Sequence, residues 1–165
     1  MTMNEKLSAA RAVRMPTLAD AMLANVMAPS PATSALIKGA IVVFGSLLLA
    51  VSAQFKIPLY PVPVTGQTLV VLLIGMTYGP RLGGITMAAY LFEGAIGLPV
   101  FAGGNAGMAV LFGPTGGYLF GFLLAAVALG YLAERGMGRS VISTVIAMVI
   151  GNTVIYICGA SWLAG

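Results

Sequence analysis

Five apolar stretches, divided by short breaks rich in Pro, Gly or basic residues, set the pattern of this chain. A helical membrane span needs about 20 mostly apolar residues, and about 17 to 25 is the usual range. Ala35 to Gln54 fits, with Lys38 near one end where its amine can snorkel. Val64 to Gly79 is shorter and opens on Thr65, Gln67 and Thr68, so its start packs against protein rather than lipid. Leu82 to Leu98 follows a tight "YGPR" corner and carries one acid, Glu93. Gly117 to Ala133 and Val141 to Leu163 complete the set. The pattern predicts five spans, with "PSPATS" breaking the chain before the first.

Composition points to the same solvent. The chain is 59% hydrophobic and 7% charged, against about 45–50% apolar and about 25% charged in soluble domains. So few charges cannot cover a soluble domain that is this apolar, so lipid is the solvent for most of the chain. The fold class expected is an all-α integral membrane protein, a helical bundle spanning 35–165. Residues 1–34 carry basic side chains but no apolar run before their prolines, unlike a secretory signal. Thr17 followed by Asp20 suits the opening of a short amphipathic helix, running to about Met27 at the membrane surface. The other reading of this segment is a partly ordered cytoplasmic tail.

Basic residues orient the spans. With the N-terminus inside, Lys6, Arg11, Arg14, Lys38, Arg81, Arg135 and Arg139 fall on the cytoplasmic side and Lys56 alone outside. The inner connections "TYGPRLG" and "ERGMGRS" are then short basic corners. The outer ones, "KIPLYPVPVTGQ" and "GAIGLPVFAGGNAGMAVLFGPTGGY", are longer and almost uncharged. Elaborate loops on one side only suit a ligand site that faces outward.

The chemistry available is that of binding rather than catalysis. There is no histidine and one cysteine, Cys158, which removes the usual general base and any Cys-rich metal site. No cofactor is expected. The basic residues are scattered and not interleaved with aromatics, which argues against nucleic acid. "GGNAG" lacks the basic residue or G-K-[ST] ending of a phosphate loop. Two readings of it remain, a tight turn around Asn105 or a cover over a ligand. In the second, Gly104 and its neighbours allow close backbone approach while Asn105 offers donor and acceptor together. Pro58, Pro61 and Pro63 hold 57–64 extended, which delivers Tyr60, Thr65 and Gln67 to the bundle's mouth. Thr115 is a candidate cap for the fourth span, with Tyr118 one turn in. Phe101, Met108 and Phe112 frame these polar groups, an arrangement typical of small-ligand pockets.

Other polar residues have two readings. Glu93, a carboxylate in an apolar run, either serves the ligand or plays a structural part, with Tyr90 three residues earlier as a partner. Asn152 and Tyr156 share a helix face and either line the pocket or join helices. Ala35 with Gly39, and Ser46 with Ala50, have the small-xxx-small spacing that lets another helix come close.

"IPLYPVPVTGQTLVVLLIGMTYGPRLGG", "GLPVFAGG" and "GPTGGYLFGFLLAA" closely resemble BioY, the biotin-specific substrate-binding (S) component of energy-coupling factor transporters. The similarity covers roughly residues 35 to 160. It implies a six-helix membrane fold, of which five spans are visible here, and capture of biotin from outside a bacterial cytoplasmic membrane. It also implies association with a transmembrane coupling subunit and two ATP-binding subunits, so that ATP acts only through partners. The family's small-xxx-small contact with the coupling subunit would correspond to Ala35–Gly39 or Ser46–Ala50. Its pocket of outer loops and later helices corresponds to Thr65, Gln67, Asn105 and Tyr118. The family continues into a last helix with an Asp and a Lys that help hold biotin, and that segment is absent from these 165 residues. Thiamine or riboflavin as the ligand, or a purely structural membrane subunit, are the alternatives.

Overall fold

A computed structural model describes residues 16–25, 30–60 and 62–165. Among these residues, six α-helices, one two-stranded ribbon and a 3-10 turn at Ala102–Gly104 occur: α1 (Leu18–Asn25), α2 (Pro31–Gln54), β1 (Lys56–Ile57), β2 (Val64–Thr65), α3 (Gln67–Ala95), α4 (Met108–Leu111), α5 (Gly116–Glu134) and α6 (Val141–Ala164). Helices α2, α3, α5 and α6 are long and apolar enough to cross a membrane.

The first of these starts earlier than the hydropathy pattern suggests. Ser30 caps α2 by accepting from Thr33 N at 3.2 Å, and Pro31 occupies the first turn. Proline has no N–H to leave unpaired there and its φ is already helical. "PSPATS" therefore opens the helix rather than breaking it, and the boundary expected at residue 35 moves back to Pro31. Along α2 the buried residues are Gly45, Ser46, Leu49, Ser52 and Ala53, while Leu36, Val43, Phe44 and Leu47 are exposed. Small side chains inside and large ones outside is the arrangement for helices whose surroundings are hydrocarbon.

Helix α3 is not one rod. As a straight helix its 29 residues would reach about 43 Å, well beyond a hydrocarbon core of about 30 Å. At Gly79 the backbone turns to φ 77° and ψ 175°, and Pro80 follows. The left-handed φ is open to glycine, and proline cannot give the next N–H to a helix. The chain folds back so sharply that a Cβ on Gly83 would lie 3.7 Å from the Gly75 Cα. The expected second and third spans are thus the two arms of a hairpin, 67–78 and 80–95, about 18 Å and about 24 Å long. The expected start at Val64 is corrected to Gln67, because Val64 and Thr65 form β2. The expected end at Leu98 is corrected to Ala95, where a turn over 96–97 begins.

The proline-rich segment 57–64 is not a free extended run either. β1 pairs antiparallel with β2, Lys56 opposite Thr65 and Ile57 opposite Val64. The ribbon gives these backbone groups partners beside the apolar bundle, where unpaired ones are costly.

Helix α1 opens with the reciprocal Thr17–Asp20 bonds expected of a capping box: Thr17 N donates to Asp20 Oδ2 at 3.0 Å and Asp20 N to Thr17 Oγ1 at 3.4 Å. Thr17 and Ala19 are buried, and Thr17 Cγ2 lies against Gly79, so α1 covers the hairpin corner. The expected extension to Met27, and residues 1–15 of the tail, lie outside the described residues.

Helix α5 is the central element, packed on both arms of α3 and on α6. Ala125, Ala126 and Leu129 are fully buried there. A Cβ on Gly75 would come 2.9 Å from the Ala126 carbonyl, and one on Gly130 would strike the Pro80 backbone. Gly130→Ala should therefore lower unfolding stability by about 1–3 kcal/mol, as overpacking against rigid backbone does. Gly39→Ala, whose Cβ meets nothing within 4 Å, should leave it within about 0.5 kcal/mol. Thermal unfolding of the purified protein in detergent checks both.

Candidate functional site

The first turn of α3 puts Gln67 at the base of a polar chain. Thr65 Oγ1 donates to Gln67 Oε1 at 3.1 Å, Gln67 Nε2 donates to Tyr90 Oη at 2.5 Å, and Tyr90 Oη donates to the Val100 carbonyl at 2.9 Å. Gln67 is 3% exposed and Tyr90 fully buried. Burying these groups in an apolar bundle is tolerable because each finds a partner. The chain of bonds joins β2, both arms of α3 and the segment after it at one end of the bundle.

That segment, 96–115, carries structure of its own. The Phe101 ring lies edge-on to Tyr90 with centroids 5.6 Å apart, flush against Gly94, where any Cβ would collide with it. Gly107 N donates to the Gly94 carbonyl at 2.7 Å, and Phe101 N to the Asn105 carbonyl at 3.1 Å. The left-handed residues of this turn are Gly103 and Gly104, at φ 73° and 74°. Asn105 is itself extended, at φ −70° and ψ 155°, so the glycines make the tight turn expected around it. The Asn105 amide donates to the Ala102 carbonyl at 2.8 Å, which leaves its Oδ1 free to accept.

Across from this turn, Tyr118 on α5 meets Tyr156 on α6 edge-on, with centroids 6.1 Å apart. Gly117, Gly121 and Gly159 let the two helices approach closely enough for this contact. Thr115 stands at the N-cap position of α5, but its hydroxyl donates to the Val110 carbonyl at 3.4 Å and does not cap.

Between these walls is a cavity of about 220 Å³. Thr65, Gln67, Phe101, Asn105, Thr115 and Tyr118, all singled out in the sequence, line it together. Its walls also include Val62, Pro63, Thr68, Val110, Phe122 and Tyr156. Tyr156 was one of two readings at its position. Phe122 was legible as one helical turn beyond Tyr118, whereas Val110 depends on the short helix α4, which glycine-rich sequence concealed.

Other expected residues lie elsewhere. Tyr90 stands behind Gln67 rather than on the cavity wall, and Gly104 is exposed on the outside of the turn. Glu93 is not on the cavity wall and makes no hydrogen bond to Tyr90; its Oε2 accepts from the buried Ser46 hydroxyl on α2. That bond turns Ser46 into the bundle, and Ser46 is 1% exposed, so it is corrected from partner surface to interior helix contact. Ala50 is half-buried against the core. Ala35 and Gly39 are exposed. Tyr60, Met108 and Phe112 point outward, Tyr60 being 98% exposed, and Asn152 is not on the cavity wall.

The cavity is thus apolar with a few fixed amide and hydroxyl groups and no charge. The family model described as the BioY family matches residues 16–165. This chain belongs to that family. It is 50% identical over 88 residues to the biotin transporter BioY of Thermotoga maritima, covering 53% of this chain and 52% of that one. Identity is 33% over 123 residues to a probable biotin transporter BioY of Rickettsia prowazekii, covering 74% and 63%. With the biotin transporter BioY of Rhizobium etli it is 39% over 132 residues, covering 76% and 68%. The chain therefore spans between about half and two thirds of the length of these curated relatives. A crystal structure of the S-component for biotin from an ECF-type ABC transporter superposes with a TM-score of 0.74 at 28% identity, covering 83% of this chain and 76% of that one. These relatives are named as transporters, and the apolar helices make this BioY family member a membrane protein.

Tyr90→Phe should cost about 1–3 kcal/mol of unfolding stability, the usual penalty for stranding a buried polar partner, because it leaves the Val100 carbonyl without its donor. Tyr60→Phe, at an exposed position, should cost nothing measurable. Parallel thermal melts distinguish the two.

Proposed function

We propose that this chain is the substrate-binding component of an energy-coupling factor transporter and captures biotin for uptake across a bacterial cytoplasmic membrane. The observation that carries the reading is the cavity: neutral amide and hydroxyl groups set among Phe101, Val110 and Phe122. Biotin's ureido ring is uncharged, with two N–H donors and one carbonyl. Its fused sulfur ring and aliphatic chain are apolar. Asn105 Oδ1 is free to accept from the ureido N–H groups, and the hydroxyls of Thr115 and Tyr118 serve either role. A structural subunit would have no need of a polar-lined cavity.

In this reading the cavity faces outward and the N-terminus lies in the cytoplasm. Arg81, Arg135 and Arg139 belong to the opposite end, at the α3 corner and the α5–α6 connection, as the positive-inside rule requires. A transmembrane coupling subunit and two ATP-binding subunits complete the transporter, and the exposed pair Ala35–Gly39 on α2 is the surface for the former. Energy enters through those partners, since no nucleotide motif exists here.

Titration calorimetry on the detergent-solubilised protein should give saturable heat with biotin and none with thiamine or riboflavin. Asn105→Ala should weaken biotin roughly tenfold, since it removes one ligand bond worth about 0.5–1.5 kcal/mol and loosens the turn that Ala102 anchors. Binding of thiamine or riboflavin in place of biotin would sink the assignment. A cysteine introduced at position 105 should react with an impermeant maleimide in intact cells; reaction only after permeabilisation would reverse the orientation.

A further inference from the structure

One stretch of the cavity wall stands on a unit with little of its own to hold it. Residues 108–115 comprise the single turn of α4 and the loop into α5, and they supply Val110 and Thr115 to the cavity. Their own hydrogen bonds are local: Phe112 N donates to the Met108 carbonyl at 3.1 Å, Gly113 N to the Val110 carbonyl at 3.3 Å, and Thr115 Oγ1 to that same carbonyl at 3.4 Å. A lone helical turn does not persist by itself, because it fixes several residues for one bond. Leu111 is buried beneath the unit, but apolar burial is non-directional and does not set where the unit stands along its neighbours.

Trp162, in the last turn of α6, supplies a directional constraint. Its Nε1 donates to the Gly113 carbonyl at 3.1 Å. Among the described residues this is the one hydrogen bond that reaches 108–115 from beyond the adjoining turns. The sequence makes room for it at the start of α5. A Cβ on Gly117 would collide with Trp162, and one on Gly116 would lie 3.5 Å from its ring. The indole also packs on Phe120, with centroids 5.9 Å apart. A tryptophan serving only as a membrane-surface anchor turns its N–H to water and headgroups, whereas this N–H is spent on backbone. Tyr156, earlier on the same helix, lines the cavity, so α6 carries one part of the wall and holds another.

We propose that Trp162 is a positioning residue for ligand binding, whose indole N–H tethers the α4–α5 unit to α6 and so fixes Val110 and Thr115 relative to Tyr156. The proposal rests on the biotin reading given above. Trp162 is not itself on the cavity wall; it acts through the carbonyl that it holds. With the tether in place, a ligand meets a wall already ordered. Without it, binding has to order the unit, and affinity falls by that cost.

Two variants separate the bond from the ring. Trp162→Phe keeps an aromatic ring beside Phe120 and removes the donor, whereas Phe120→Leu removes the ring contact and keeps the donor. On the full chain in detergent, calorimetry should find biotin bound about fivefold more weakly by Trp162→Phe and unchanged in Phe120→Leu. Hydrogen exchange without ligand should be several-fold faster at the amides of 110–116 in Trp162→Phe, with those of α3 as in the wild type. Undiminished affinity in Trp162→Phe, or equal losses in both variants, would overturn the proposal and leave the biotin reading standing. Weaker binding without faster exchange at 110–116 would also overturn it, since the indole would then be acting on the ligand by another route. Faster exchange throughout the chain would do the same, because Trp162 would then be supporting the whole fold. A wild type that binds no biotin overturns the biotin reading and this proposal with it.

Discussion

The bond from Gln67 to Tyr90 closes the hairpin of α3 at the end opposite its glycine–proline corner. Two arms meeting only at Gly79 would be free to splay, since the corner itself is a single left-handed residue followed by a proline. The amide-to-phenol bond at 2.5 Å fixes the open end, and the phenol passes the constraint on to the Val100 carbonyl. Thr65 adds the ribbon to the same chain. Four separate segments are thereby held at one point beneath the cavity. In a membrane this chain of bonds is also the cheapest solution for its members, because an unpaired amide or phenol there costs several kcal/mol.

Close helix approach supplies the second half of the architecture. The hydrophobic effect does not drive helices together in lipid, so packing must. Gly75 and Gly83 let the two arms of α3 meet, Gly130 admits the corner against α5, and Gly117, Gly121 and Gly159 draw α6 onto α5. The Tyr118–Tyr156 contact that walls the cavity follows from this last approach, and such aromatic pairs contribute about 0.5–1.5 kcal/mol beyond their burial. Glu93 plays a comparable part between α2 and α3. A lone carboxylate inside a bilayer costs about 2.5–3.5 kcal/mol on insertion scales, and the Ser46 hydroxyl provides it with a donor from the neighbouring helix.

How much of this was legible depends on whether a feature is local. Hydropathy alone located every membrane helix to within a few residues, and "YGPR" announced the hairpin corner, because glycine and proline act on their own backbone. The six polar and aromatic residues that share the cavity stood out as amides, hydroxyls and rings in nearly charge-free loops. Side-chain partners at long range were not legible. Glu93 read equally well as a mouth residue, since nothing in its own helix points to Ser46, 47 positions earlier. Ser46–Ala50 and Ala35–Gly39 have the same spacing, and only the crossing of α2 on α3 turns one pair inward and leaves the other outside. Tyr90 fell into the candidate site for a related reason: its phenol serves the site by holding Gln67, a role that periodicity cannot separate from direct contact.

The polar groups of the cavity are committed before any ligand arrives, and this bears on how selectively they can act. Gln67 is bonded at both ends of its amide, and Asn105 spends a donor on the Ala102 carbonyl. Gln67, buried, keeps some capacity in reserve but has lost the freedom to turn, while Asn105 is exposed and tied by one bond to its own turn. A ligand therefore meets fixed positions, and binding does not have to supply the cost of ordering them, about 0.5–1.5 kcal/mol for each immobilised side chain. The same rigidity penalises a ligand whose donors and acceptors fall elsewhere, because a buried group would then be left unpaired. The glycines of the covering turn do not contradict this. Their left-handed conformations are closed by backbone bonds to Phe101 and Gly94, so they give close approach without looseness. In the reading proposed above, specificity for a small neutral ring comes from constraint placed on a few ordinary side chains, not from any unusual chemistry among them.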